Sequence, residues 1–98
     1  MAKYDQLQIP DAASKDPKSF ELLRLWVANK DQHVSLRTGV WDDPAAWGMM
    51  LADMARHIAN SYQQDKGLDR SQTLKRIKAA LDVELASPTD EPSGQRPR

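Results

Sequence analysis

The longest regular pattern of apolar and polar positions in this chain lies between Trp41 and Gly67. Apolar side chains recur there at steps of three and four residues, which places them on one face of an α-helix. They are Trp47, Met50, Leu51, Met54, Ile58 and Tyr62. Asp43 precedes a proline and can cap the start of the helix, and Gly67 can adopt the left-handed conformation that ends one. The pattern therefore predicts a central amphipathic helix of about 22 residues.

Gly48 interrupts this pattern in its second turn, where a glycine costs about 1 kcal/mol relative to alanine. One explanation is the close approach of a ligand or of another backbone. The other explanation is that Trp41 or Trp47 needs the space that a side chain would fill. We favour the second explanation.

An alternating pattern of apolar and polar residues predicts a β-hairpin with strands at about residues 20–28 and 33–40. The turn centres on Asn29, Lys30 and Asp31, which suit a tight turn. Because side chains alternate between the two faces of a strand, the apolar sides match only in certain registers. The predicted register sets Val27 opposite Val34, Leu25 opposite Leu36 and Leu23 opposite Thr38, on a face that should lie under the central helix.

The other face of the predicted hairpin carries Arg24, Trp26, His33 and Arg37. In the predicted register Arg24 lies directly opposite Arg37, and like charges in that position are unfavourable. Either another group compensates for this repulsion or the register is wrong. These four side chains could bind a phosphate or a stacked base. The alternative is a contact with a second copy of the chain, in which Trp26 is buried and the arginines lie at a polar rim.

Two further stretches flank the hairpin and the central helix. After Gly67, apolar residues at helical spacing predict a second amphipathic helix, capped by Asp69 or Ser71 and ended by Pro88. These apolar residues are Leu74, Ile77, Leu81 and Leu85. Near the N-terminus, the alternation of residues 7–9 could make a short edge strand. Residues 11–19 have the composition of a linker, with one helical turn beginning at Pro17.

Together these elements predict an α+β fold. An antiparallel β-hairpin, three-stranded if residues 7–9 join it, packs against two α-helices. We expect an N-terminal extended segment and linker at residues 1–19, a single α+β domain at residues 20–87 and a disordered tail at residues 88–98. Because a two-stranded sheet is rarely stable alone, either residues 7–9 or the hairpin of a second copy should complete it.

Charge and composition narrow the range of functions. Lys+Arg and Asp+Glu each number 14, which gives a net charge of zero and argues against a nucleic-acid partner. The chain has no cysteine, no apolar leader segment and no run of membrane-spanning length, so we expect a cytoplasmic protein without membrane contact. His33 and His57 lie in different elements, and we predict neither a metal site nor a cofactor.

The polar side of the central helix holds one group with a spacing that suits acid–base chemistry. Asp53 and His57 are four residues apart, and Arg56 and Asn60 lie beside them. A ligand could contact Arg56 and His57, whereas the simpler interpretation is a solvated helix face. Because the sequence places no nucleophile beside this pair, we predict no catalytic residues.

The runs LLRLWVANKDQHVSL and GVWDDPAAWGMMLADMARHIANSY resemble a small bacterial family that is classed only as a domain of unknown function. The resemblance covers about residues 20–62, and WDDPAAWG and ARHIAN are its most specific parts. It implies a short cytoplasmic α+β protein without an assigned activity. No functional residue can be transferred from the family, because none is established for it.

These observations lead to a hypothesis of a small, non-catalytic interaction or scaffold protein that forms a homodimer through its sheet. An unidentified protein partner is compatible with this hypothesis. The alternative is a module that binds a small ligand or an anion. It would use Arg24 and Arg37 on the sheet, or Arg56 and His57 on the central helix.

Overall fold

The computed structural model describes residues 4–88. In chain order its elements are α1 (Asp11–Lys15), β1 (Leu23–Ala28), β2 (Asp31–Leu36), α2 (Ala45–Lys66) and α3 (Arg70–Ala86). The α+β fold class predicted from the sequence is confirmed. The chain divides into two compact units, which within the described range cover residues 4–38 and 39–88. The first unit contains α1 and the hairpin, and the second contains the two long helices.

The N-terminal segment differs from the prediction in two respects. Among the described residues the sheet has two strands, so residues 7–9 do not add a third. The helical turn forms at Asp11–Lys15, ahead of its predicted start at Pro17. Pro10 precedes it with a φ of −59°, already close to the helical value. Pro17 lies in a turn instead, in which the backbone N–H of Lys18 donates to the carboxylate of Asp16 over 2.9 Å.

The hairpin register is shifted by two residues from the prediction. Leu23 pairs with Leu36, Arg24 with Ser35, Leu25 with Val34 and Trp26 with His33. The cause is the turn, which consists of Asn29 and Lys30 alone, with φ values of 53° and 66°. Positive φ at both central residues is the mark of a two-residue type I′ turn, whose twist matches that of the strands. The predicted register required a longer loop.

A shift of two residues leaves every side chain on its predicted face, because side chains alternate with a period of two. The aliphatic face, as we name it, consists of Leu23, Leu25, Val27, Val34 and Leu36, together with the uncharged polar residue Gln32 opposite Val27. The tryptophan face consists of Arg24, Trp26, Ala28, Asp31, His33 and Ser35. Arg24 now lies opposite Ser35, so the predicted repulsion between Arg24 and Arg37 came from the wrong register.

Helix α2 ends at its predicted cap but begins one residue later than predicted, with Pro44 rather than Asp43 in the N-cap position. The carboxylate of Asp43 accepts a hydrogen bond from the backbone N–H of Ala45 over 2.9 Å, and Pro44 occupies the cap position with a helical φ of −58°. Gly67 adopts the left-handed conformation with φ 69°, and its N–H donates to the carbonyl of Gln63 over 3.0 Å. This bond satisfies one of the free carbonyl groups at the end of the helix.

Helix α3 packs against α2 across a short connection. Asp69 caps it, because its carboxylate accepts from the N–H of Gln72 over 2.9 Å. The helix ends at Ala86, just before Ser87 and the helix-breaking Pro88. The predicted tail of residues 88–98 lies outside the described residues, apart from Pro88. Among the helices within residues 4–88, none combines the length and the apolar character needed to cross a membrane.

The apolar surface of α2 is only partly buried. Among the described residues only Ala59 is fully buried, and Trp47 and Met50 are half-buried. The remaining residues of the predicted apolar face are Leu51, Met54, Ile58 and Tyr62, which we call the α2 stripe. Their exposed fractions lie between 42% and 54%. The predicted apolar face therefore exists, but a large part of it faces solvent.

Candidate functional site

Arg24, the first of the predicted site residues, is engaged by a carboxylate of its own chain. Its Nη2 and Nε atoms donate to the two carboxylate oxygens of Glu21, each over 3.1 Å. This bidentate geometry is the one in which a guanidinium group would bind a carboxylate or phosphate ligand. An anion at Arg24 would therefore have to displace Glu21.

Arg37 is also engaged within the hairpin. Its Nε atom donates to the backbone carbonyl of Glu21 over 2.8 Å, and its guanidinium carbon lies 5.2 Å from the centre of the Phe20 ring. Its backbone N–H donates to the carbonyl of Leu22 over 2.9 Å, which extends the strand pairing beyond the last residue of β2. These contacts give Arg37 a structural role at the open end of the hairpin.

Trp26 and His33 lie opposite each other on the tryptophan face. Trp26 is half-buried and makes an edge-to-face contact with Tyr4, with ring centres 6.0 Å apart. The Nε2 atom of His33 lies 3.1 Å from the carbonyl oxygen of Ala28, and a hydrogen bond there requires the proton on Nε2. Tyr4, Arg24, Trp26 and Ala28 line an open depression of about 460 Å³.

The structure places Arg24, Trp26 and His33 on the side of the sheet that the sequence predicts, whereas Arg37 follows the last paired residue of β2. Two residues that the sequence reasoning missed contact these side chains. Glu21 contacts both arginines, and its position three residues before Arg24 is a local signal that could have identified it. Tyr4 contacts Trp26 from a distant part of the chain. No local pattern predicts such a contact.

The side chains of the predicted cluster on α2 lie in two different environments, one exposed to solvent and one partly buried against α3. The Nε2 atom of His57 lies 3.5 Å from a carboxylate oxygen of Asp53, and their side chains are 68% and 66% exposed. The amide oxygen of Asn60 instead accepts a hydrogen bond from Nε of Arg70 on α3, in a part-buried position. Arg56 is exposed. Asp53 and His57 thus form an ordinary exposed pair one helical turn apart.

Two further findings concern charged groups on the helices. The pKa of Lys78 is raised, first because its ammonium group donates a hydrogen bond to Asp82 over 2.8 Å, and second because of the charge of that carboxylate. The pair lies one turn apart on the exposed surface of α3. In the described part of the chain, no three His, Cys, Asp or Glu residues lie close enough together to hold a metal ion.

Comparisons with known proteins agree with the fold and identify the family. No curated protein matches this chain. A solved structure from the photosynthetic bacterium Rhodopseudomonas palustrus CGA009, described provisionally as a pyruvate dehydrogenase, is similar over 100% of both chains, with a TM-score of 0.79 and 28% identity. A family model described as "Domain of unknown function (DUF5076)" matches residues 6–89. The predicted resemblance to a family of domains of unknown function is thereby confirmed, and the chain belongs to this family.

Proposed function

We propose that this chain is a non-catalytic interaction module of the cytoplasm that self-associates as a homodimer through its hairpin. The observation that carries this proposal is the exposure of the aliphatic face, where Leu25 is 56% and Val27 is 75% exposed. An antiparallel sheet normally covers its apolar face. The absence of cysteine from the sequence fits the cytoplasm, where disulfides are rare.

The size of the first unit supports the need for a partner. Its described residues, 4–38, include no buried side chain, and a hairpin alone is marginally stable in water. Units below about 40 residues usually depend on disulfides, metals or oligomerisation. The chain has no cysteine, and residues 4–88 hold no metal-binding group of three. Oligomerisation is the route that the described residues support best.

The aliphatic face suits such a contact better than the tryptophan face. Trp26 already contacts Tyr4, and Arg24 is paired with Glu21 beside it. Covering this side would require these partly exposed polar groups to lose water. The aliphatic face carries no charge and a single polar side chain, Gln32, so a second copy gains apolar burial there at a smaller cost of removing water.

The alternative, binding of a small ligand or an anion, has weaker support. Arg24 and Arg37 are both engaged by groups of the same chain, which a ligand would have to displace. Arg56 and His57 lie on an exposed helix surface rather than in a cleft. The open depression beside Trp26 is the observation that still supports a ligand site, which stays a prediction.

The description of the similar structure raises the question of a dehydrogenase activity. Catalytic acids and bases usually lie in clefts, where burial and neighbouring charges adjust their pKa values. Asp53 and His57 have the spacing of an acid–base pair, but both side chains are about two-thirds exposed. We therefore base the proposal on the exposed apolar surface and not on that description.

The proposal is tested by the molar mass of the protein from light scattering across a dilution series. Val27→Glu places a charge on the aliphatic face, and Trp26→Glu places the same charge on the tryptophan face of the same strand. We expect a native dimer, at least about tenfold weaker dimerisation in Val27→Glu, and little change in Trp26→Glu. A dimer that only Trp26→Glu weakens would move the contact to the tryptophan face. A native chain that is monomeric at every concentration would contradict the proposal.

A further inference from the structure

The outer edge of each strand of the hairpin carries backbone groups that have no hydrogen-bond partner among residues 4–88. Residues of an antiparallel pair alternate between bonded and non-bonded positions. The N–H of Arg37 donates to the carbonyl of Leu22, so the even-numbered positions of β1 are the bonded ones. The backbone groups of Leu23, Leu25 and Val27 therefore point outward, along what we call the β1 edge.

The β1 edge is the more apolar of the two edges. Its three outward-pointing residues are aliphatic, and Leu25 and Val27 are 56% and 75% exposed. The corresponding row of β2 contains the polar Gln32, and its Val34 and Leu36 are half-buried. Natural sheets protect free edges with prolines, lysines or bulges. Because β1 has none of these, its edge is suited to pairing with another strand.

The sequence of β1 is complementary to itself in one antiparallel register. A two-fold axis through Leu25 sets Leu25 opposite its own copy and Leu23 opposite Val27. Each of these pairs exchanges two backbone hydrogen bonds, about six in total. An axis through Arg24 would set two guanidinium groups opposite each other, which is unfavourable. An axis through Trp26 would set Leu23 opposite a residue of the turn.

The β2 edge is a poorer match to itself. An axis through Val34 would set the amide side chain of Gln32 opposite Leu36 in two of the three bonded pairs. The same axis would set Asp31 opposite Arg37, which is a favourable pair of charges. Both of these side chains are exposed, however, and exposed ion pairs contribute little to stability.

The tryptophan face has space for the register about Leu25. That axis places Arg24 of each copy opposite Trp26 of the other copy. Trp26 lines the open depression of about 460 Å³, whose other lining residues are Tyr4 and two further residues of β1. An arginine side chain from a strand beside β1 would enter this space and lie against the indole ring. Its charge stays neutralised there, because Arg24 is paired with Glu21 of its own chain.

We infer that β1 pairs antiparallel with β1 of a second copy, about a two-fold axis at Leu25, and that the two hairpins form a four-stranded sheet. This inference rests on the proposed self-association and names the strand and the register through which it occurs. The two aliphatic faces then become continuous, with Val27 beside Leu23 of the other copy. A sheet of this size is stable where a lone hairpin is marginal. An edge of six residues is a small interface, so the dimer should dissociate on dilution.

Amide hydrogen exchange of the native chain tests the pairing without any substitution. Rates are compared by NMR between dilute protein and protein concentrated enough to be mostly dimeric. We expect exchange at Leu23, Leu25 and Val27 to slow at least about tenfold, because their N–H groups become hydrogen-bonded. Exchange at Val34 and Leu36, the matched outward positions of β2, should change less than about twofold. Slowing at the β2 positions alone would assign the pairing to the other edge and overturn the inference.

Disulfide cross-linking tests the register, and the cysteine-free sequence makes it direct. In the inferred register the two Cα atoms at position 25 lie about 5.5 Å apart, within the range of a disulfide. If the two aliphatic faces packed against each other instead, the sheets would lie about 10 Å apart, which is too far. We expect Leu25→Cys to form a disulfide-linked dimer on oxidation. Val34→Cys, on the same face of β2, is the control and should stay mostly monomeric.

The outcomes separate this inference from the proposed function. If the native chain is monomeric at every concentration, both fail. If Val27→Glu weakens a native dimer, while exchange at Leu25 does not slow and Leu25→Cys forms no disulfide, the inferred β1 pairing fails and the proposed function stands.

Discussion

At the scale of single residues, Gly48 and Gly67 illustrate two different uses of glycine. Gly67 has a φ of 69°, a conformation that other residues adopt at a cost, and it ends α2. Gly48 lies within the helix, and a Cβ atom added there would meet nothing within 4 Å. Trp41 therefore does not occupy this space, whereas the prediction that Trp47, the residue directly before Gly48, needs it stays a prediction. Those two rings contact each other edge to face instead, with centres 5.1 Å apart.

Gly48→Ala should therefore stabilise the protein. We expect the free energy of unfolding to rise by about 0.5–1 kcal/mol, because alanine loses less backbone entropy in a helix and has open space here. Urea denaturation at a fixed protein concentration measures this change. Gly67→Ala is the control and should lower stability by about 1 kcal/mol, because alanine is strained at positive φ. Destabilisation by Gly48→Ala would show that a partner approaches the helix backbone at this position.

At the scale of elements, the turn of the hairpin contains the one conformation that its sequence does not favour. Lys30 has a φ of 66°, in the left-handed region where a side chain other than Asn, Asp or Gly is uncommon. Asn29, at 53°, is one of the exceptions. Lys30 is thus held in place by the pairing of the two strands rather than by its own preference.

Lys30→Gly should stabilise the hairpin, because Asn-Gly is the preferred sequence of a type I′ turn. We expect slower amide hydrogen exchange across Leu23–Ala28 and Asp31–Leu36. The ratio of the exchange rates of the two proteins should correspond to a gain of roughly 1 kcal/mol in the stability of the hairpin. Lys30→Val is the opposite control, since a β-branched residue is strongly disfavoured at positive φ, and its exchange should be faster. Exchange that both substitutions leave unchanged would contradict the assigned turn.

The same turn explains how much of the fold could be predicted from sequence. The end of α2 and the start of α3 were correct because Gly67 and Asp69 act through hydrogen bonds to residues close in the chain, whereas α2 begins one residue after its predicted start. The register was wrong because a lysine gives no indication of positive φ. The faces were still correct, since a two-residue shift preserves alternation. Of the candidate site, the side of the sheet was predictable, whereas the contact between Tyr4 and Trp26 depends on tertiary structure.

At the scale of the whole molecule, the apolar residues are distributed in a way that indicates association. Sixteen large apolar side chains are exposed among the described residues, and one small residue, Ala59, is fully buried. Scattered exposed hydrophobic residues are common on monomers. Six of the sixteen lie in two ordered groups, with Leu25 and Val27 on the aliphatic face of the hairpin and the other four in the α2 stripe. Ordered apolar surfaces of this kind usually mark interaction sites.

If association completes the core, the thermal stability of the protein should depend on its concentration. Folded dimers are favoured over unfolded chains by mass action, and each tenfold increase in concentration adds about 1.4 kcal/mol per dimer. We expect Tm to rise by roughly 3–6 °C per tenfold increase, measured by scanning calorimetry or circular dichroism. Val27→Glu should lower Tm and reduce this dependence, whereas Trp26→Glu should retain the dependence. A Tm that does not change with concentration would mean that each chain folds without a second copy.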